Sequence, residues 1–277
     1  MINEKQILPL KGMRALVTGG AQGIGAGICL GLASAGASVA IIDKQIEKTE
    51  RVANEITANG GLAFAISGDI ISKDGCHQVI ADSIKKLGGL DILVNCAAPG
   101  RDKTMLGKLA DADWDTHYQI VLNAAVTLID AASEDLRLSG HGAIVNISSA
   151  TSMSIAIDQC SWPYHISKAG LNHLTRWLAI RLGGLGIRVN AVAPALVDRD
   201  TGPKLTDNSE HQAVIKEIVP LGRAGNAQDI AQAVVFLCSK QSSYITGQII
   251  TVDGGLGINE VFGASLRVFK SGRENSS

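Results

Sequence analysis

Seven short apolar runs recur along the chain, at Arg14–Thr18, Ser38–Asp43, Ala63–Ser67, Ile92–Asn95, Ala143–Ser148, Arg188–Ala193 and Gln248–Val252. Helical patterning fills most of the intervals, over 25–35, 45–59, 73–87, 111–138, 164–182 and 226–239. Strands that read as nearly continuous apolar runs are buried on both faces. Strands that alternate with helices build βαβ units. The pattern therefore predicts an α/β protein with a parallel sheet between two helix layers. No linker, composition shift or solenoid repeat divides the 277 residues, so one domain is expected. Two segments break the rhythm. Residues 194–223 are polar and only partly helical in pattern, and 254–277 follow the last strand and turn polar and basic.

Composition narrows the class. Hydrophobic residues make up 46% and charged residues 18%, which suits a chain with a large buried core. The net charge is −1 with signs interspersed, so no basic stripe invites nucleic acid. No run has the length and apolarity of a membrane span, and Met1–Leu10 lacks the apolar centre of a signal peptide. The five cysteines, Cys29, Cys76, Cys96, Cys160 and Cys238, are scattered without a C-x-x-C pair. They read as small buried hydrophobes, with no metal or disulfide role, in a reducing cytoplasm.

The first strand runs into Gly19-Gly20-Ala21-Gln22-Gly23-Ile24-Gly25, and helical patterning follows at once. Glycines there permit a tight turn and close backbone approach to a pyrophosphate, which the helix N-terminus then attracts. Asp43 ends the next strand, 18 residues past Gly25. An acid at that place accepts hydrogen bonds from ribose hydroxyls and repels a 2′-phosphate. It also suits an N-cap of the following helix. Lys44 would attract a 2′-phosphate, but Gln22 adds no second charge, so the balance favours NAD over NADP.

Tyr164 and Lys168 stand four residues apart. On a helix that spacing puts both side chains on one face. A nearby ammonium favours phenolate over phenol, which is how a tyrosine becomes a useful acid–base group at neutral pH. By itself the pair also fits an amphipathic face with two solvated tips.

Taken in order, these motifs resemble the classical short-chain dehydrogenases/reductases over nearly the whole chain. Thr18-Gly19-x-x-x-Gly23-x-Gly25 resembles the family's cofactor turn, and Asp69 in Gly68-Asp69-Ile70 its adenine-contacting acid. Asn95-Cys96-Ala97-Ala98 stands where the family has Asn-Asn-Ala-Gly. Asn123 falls at the catalytic asparagine, and the strand from Ile144 to Ser149 resembles the one that delivers the catalytic serine. Tyr164-x-x-x-Lys168 resembles the catalytic pair, and Tyr244 to Gly255 the C-terminal signature.

The resemblance implies a Rossmann-type doubly wound sheet and NAD-dependent interconversion of a secondary alcohol and a ketone. Catalysis would fall to Asn123, Ser149, Tyr164 and Lys168, with Ser148 the alternative serine. The cofactor would meet Gly19, Gln22, Gly23, Ile24, Asp43, Asp69, Ile70, Asn95, Ala97, Tyr164, Lys168, Pro194 and Val197. Several positions depart from the family pattern: Cys96, Ala98, Ala195 after Pro194, and Asp198 in place of a threonine that helps hold the nicotinamide amide.

Substrate specificity is expected from 195–223, aided by 97–103 and 151–162. Arg101, Lys103, Gln159, Trp162, Arg199 and Lys204 there suggest a sugar, polyol or hydroxy acid rather than a flat steroid. An NADP-dependent carbonyl reductase and a catalytically silent cofactor-binding regulator are the alternatives. A homotetramer, or failing that a homodimer, is implied through helices 111–138 and 164–182, which carry apolar residues on more than one face. The extension 256–277 is apolar enough as far as Phe269 to pack, on its own subunit or a neighbour's.

Overall fold

A computed structural model describes residues 8–99, 111–156, 160–198, 204–260 and 263. Seven strands form one sheet: β1 (Arg14–Thr18), β2 (Ser38–Asp43), β3 (Leu62–Ser67), β4 (Ile92–Asn95), β5 (Ala143–Ile147), β6 (Arg188–Pro194) and β7 (Ile249–Val252). Their order is β3-β2-β1-β4-β5-β6-β7. Every pairing is parallel, with Thr18 opposite Asn95 and Asn95 opposite Asn146. The helices are α1 (Gly23–Ser34), α2 (Ile46–Ala58), α3 (Lys73–Leu87), α4 (Asp111–His117), α5 (Ala124–Leu138), α6 (Trp162–Gly183), α7 (Ser209–Ile218) and α8 (Ala227–Cys238).

Side-chain alternation sorts the apolar runs into two cores. Ala15, Val17, Val39, Ile41, Ile92, Val94 and Val145 pack with α1, α2 and α8 on one face. Leu16, Ala40, Ile42, Leu93, Ile144 and Val189 pack with α3, α5 and α6 on the other. A run apolar at every position is what two such faces demand. The small residues of α1 bring it close to α8, where a Cβ on Gly27 would stand 2.5 Å from that of Ala227. Arg14 pins the base of the sheet: its Nε and Nη2 donate to Asp91 at 2.8 and 3.0 Å, and Nη1 donates to Gly88 O at 2.6 Å.

The expected helix over 111–138 is interrupted. A π-helical segment, Tyr118–Asn123, separates α4 from α5. Within it Asn123 Nδ2 donates to Gln119 Oε1 at 2.8 Å. Helix α6 starts at Trp162, with Pro163 in the first turn, where a missing N–H costs nothing.

Candidate active site

The strand order reverses between β1 and β4, and ligands of open α/β sheets bind outside the carboxyl ends at such a reversal. A cavity of about 550 Å³ lies there, bounded by the ends of β1, β2, β4, β5 and β6. Eleven of the residues expected to bind cofactor or carry the chemistry line it: Gly19, Gln22, Gly23, Ile24, Asp43, Asp69, Ile70, Ala97, Tyr164, Lys168 and Pro194.

The turn after β1 is built for a bulky anion. Gly19 and Gly23 adopt φ of 68° and 56°, a region side-chain-bearing residues seldom visit. A Cβ on Gly25 would lie 2.0 Å from Gly19 O. The first turn of α1 carries no acidic residue, and Gln22 makes no side-chain cap, so its first N–H groups are left without a side-chain cap at residues that line the cavity. Asp43 braces the turn, its Oδ2 accepting from Ala21 N at 3.4 Å and its Oδ1 from Gln45 N at 3.1 Å. Thr18 Oγ1 accepts from Cys96 N and Ala97 N at 3.1 and 3.3 Å, joining the turn to the end of β4. These features fit a dinucleotide: a glycine cradle for the pyrophosphate, with Asp43 and Asp69 at one end and Tyr164 and Lys168 at the other.

Helix α6 carries the reactive end. Tyr164 and Lys168 are both buried, 5% and 2% exposed, yet both reach the cavity wall. Lys168 Nζ donates to Ile147 O at 2.7 Å, which ties α6 to the end of β5. The His117 ring meets the Tyr164 ring edge-on, with centroids 6.2 Å apart. Ser148 lines the cavity and donates from Oγ to Lys168 O at 3.3 Å. Ser149 Oγ accepts from Thr151 Oγ1 at 2.8 Å and from Thr151 N at 3.2 Å, within the turn that follows β5.

Four expected residues lie off this wall. Ser149 is one. Asn123 closes the π segment, which packs on α6. Asn95 is buried beneath the cavity floor, donating from Nδ2 to Asn146 Oδ1 at 2.9 Å. Val197 pairs with Gly225. The neighbouring Asp198 secures the loop, accepting from Leu205 N at 2.8 Å, Thr206 N at 3.3 Å and Thr206 Oγ1 at 2.5 Å. Arg101, Lys103, Gln159 and Arg199 lie outside the described residues, as does most of the extension, of which Ile258 is exposed.

Sequence reasoning named Thr18 only as part of the cofactor turn, without its link to β4, and missed Ile147 and Lys48. The threonine had a signal, a hydroxyl at a strand end beside glycine. The anchor of Lys168 is a main-chain carbonyl, which no residue type announces. Lys48 donates from Nζ to Gln22 Oε1 at 2.9 Å, so a cation does stand beside the glycine turn. Cys96 lines the cavity, and burial pushes its thiol up to about 11, against the opposing pull of Lys168.

The family described as enoyl-(acyl carrier protein) reductase matches residues 19–257. The chain is 34% identical over 250 residues to the 3-oxoacyl-[acyl-carrier-protein] reductase FabG of Aquifex aeolicus, covering 90% of this chain and 99% of that protein. To the 7alpha-hydroxysteroid dehydrogenase of Escherichia coli K12 it is 36% identical over 254 residues, covering 92% and 97%. Among solved structures, a dehydrogenase/reductase from Sinorhizobium meliloti 1021 superposes with a TM-score of 0.81 at 36% identity, covering 90% and 97%. A short-chain dehydrogenase/reductase from Serratia marcescens does so with 0.82 at 32%, covering 90% and 99%. With its parallel doubly wound sheet, glycine turn and Tyr164/Lys168 pair, the chain belongs to the classical short-chain dehydrogenase/reductase family of oxidoreductases.

Proposed function

We propose that the protein interconverts a secondary alcohol and a ketone with NAD as cofactor. The observation that carries this reading is the placement of Tyr164 and Lys168 on one wall of a cavity whose far end holds Asp43. Bound nicotinamide supplies hydride acceptance and donation. In the oxidising direction Tyr164 takes the alcohol proton. Lys168, held on Ile147 O, brings positive charge to the developing phenolate. The turn serine holds the substrate oxygen: Ser149 by likeness to the family, Ser148 by its position on the wall. Asn123 supports a water that passes the proton outward by way of Lys168. Gly19, Gln22, Gly23 and Ile24 seat the pyrophosphate, Asp69 and Ile70 the adenine, and Ala97 and Pro194 the nicotinamide half, with Asn95 and Val197, off the wall, in support.

Asp43 on the cavity wall at the end of β2 supports NAD, because a carboxylate there would accept from ribose hydroxyls and repel a 2′-phosphate. Lys44 on the cavity wall and Lys48 beside Gln22 favour the second reading, an NADP-dependent carbonyl reductase. For the substrate, a sugar, polyol or hydroxy acid is our first choice. The likeness to FabG and to a hydroxysteroid dehydrogenase keeps acyl and steroid ketones in the same screen. Five scattered cysteines, none in a disulfide among the described residues, support a reducing cytoplasm as its location. The deciding experiment is a screen of sugars, polyols, hydroxy acids, acyl thioesters and steroids with NAD and NADP, followed by nicotinamide absorbance. Turnover by no alcohol or ketone would overturn the proposal.

A further inference from the structure

His165 follows Tyr164 directly on α6, but its ring turns away to the segment beyond β5. It is 8% exposed. Nε2 lies 3.0 Å from Ala156 N, and Nδ1 lies 2.9 Å from Ser161 O. These two partners leave no choice of protonation. An amide N–H only donates, so Nε2 must accept; a carbonyl only accepts, so Nδ1 must carry the proton. The ring is therefore a neutral imidazole with a fixed tautomer, bridging the first turn of α6 to Ala156. Ala156 is held at its other end as well, its carbonyl accepting from Cys160 N at 3.2 Å.

What this bridge restrains matters more than the bridge itself. Residues 149–154 form a tight turn, with Ser152 N donating to Ser149 O and Met153 N and Ser154 N to Ala150 O. Asn172, one helical turn beyond Lys168, donates from Nδ2 to Ser152 Oγ at 2.7 Å, and Ser152 Oγ donates to Ser149 O at 2.5 Å. Helix α6 thus grips the turn from one side through Asn172 and its outgoing limb through His165. On that limb, which follows the carboxyl end of β5, Met153 and Ile155 are exposed apolar side chains, 55% and 76%.

We infer that His165 is a positioning residue: its imidazole fixes the limb 153–156 against the catalytic helix, so that this limb forms one wall of the substrate site at a set distance from Tyr164. The inference rests on the alcohol–ketone reading for its kinetic consequence, but the tether itself is testable without it.

The test uses His165→Phe, which keeps a flat ring and loses both bonds, and His165→Gln, whose Oε1 can reach the place of Nε2 and accept from Ala156 N. Hydrogen exchange of the peptide spanning 150–156 reports the tether, and steady-state kinetics with a working substrate reports its use. Expected for His165→Phe are faster exchange over 150–156 and a substrate KM raised about fivefold or more, with kcat and NAD affinity within about twofold of the parent. His165→Gln should restore both. Unchanged exchange in His165→Phe, equal impairment of the two variants, or parallel loss of NAD affinity would each overturn the inference. If the parent turns over no substrate, the functional reading fails alone, and the exchange measurement still decides the tether.

Discussion

The ammonium of Lys168 lies 5.8 Å from the centroid of the Tyr164 ring, with both residues buried in the first two turns of one helix. Tyr164→Phe retains the ring and removes the proton carrier. Turnover should fall by about a thousandfold, within the usual range for a lost acid–base group. NAD binding, read by fluorescence titration, should persist. Lys168→Ala should weaken both, because it also leaves Ile147 O without its donor. Activity of Tyr164→Phe within about tenfold of the parent would assign the proton to another group.

Cofactor choice is the second expectation. kcat/KM should favour NAD, and Asp43→Ala should narrow the gap by removing the repulsion of a 2′-phosphate. Because Asp43 also braces Ala21 N, the variant should lose some NAD affinity too. A parent that prefers NADP would credit Lys44 and Lys48 instead.

How far the sequence was legible depends on where each interaction resides. The strand Ser38–Asp43 stands where its apolar run placed it, because two buried faces leave no freedom in the pattern. Asp43 reached the cavity for the same reason, as the last residue of that strand. The π segment was invisible: Tyr118–Asn123 has helical spacing, and only the packed helix shows the widened turn. Ser148 and Ser149 could not be separated by type, since adjacent residues of one kind differ only in the direction they take at the strand's end. Lys48 was missed because its link to Gln22 crosses from one helix to another turn, 26 residues away.

Assembly is the third expectation. Val121, Leu128 and Leu171 are buried within the subunit, whereas Val126 on α5 and Trp177 and Ile180 on α6 are 45%, 58% and 86% exposed. An apolar face of that kind calls for a partner. Sedimentation at micromolar concentration should report a tetramer or dimer, and Ile180→Glu with Trp177→Glu should shift it toward monomer. A parent that sediments as a monomer would refute the idea.

The thiols set the alkaline limit. Burial raises Cys76 and Cys96 to about 11 and Cys238 to about 12, above the ordinary value near 8.5. The folded state therefore holds these protons more tightly than the unfolded chain. Their contribution to stability is complete below pH about 8.5 and is lost as pH rises toward the folded values. Denaturant midpoints should be flat through neutrality and fall above that point, and Cys96→Ala should soften the fall. Alkylation of Cys96 should speed up about tenfold per pH unit and slow when NAD is added.

The neck formed where Gly225 N donates to Leu196 O and Asp198 N to Gly225 O, at 2.9 and 2.8 Å, has a consequence for how such a protein can diversify. The residues between are closed at their root by these two bonds, and their far limb rests on the chain after β7, where Leu221 N donates to Gly254 O at 3.1 Å. Lengthening that stretch costs little more than chain entropy, about 0.6 kcal/mol per doubling. On the proposed reading, in which this stretch carries the substrate specificity, it can be exchanged as a cassette, letting lineages trade one substrate for another while the redox half of the molecule is inherited unchanged.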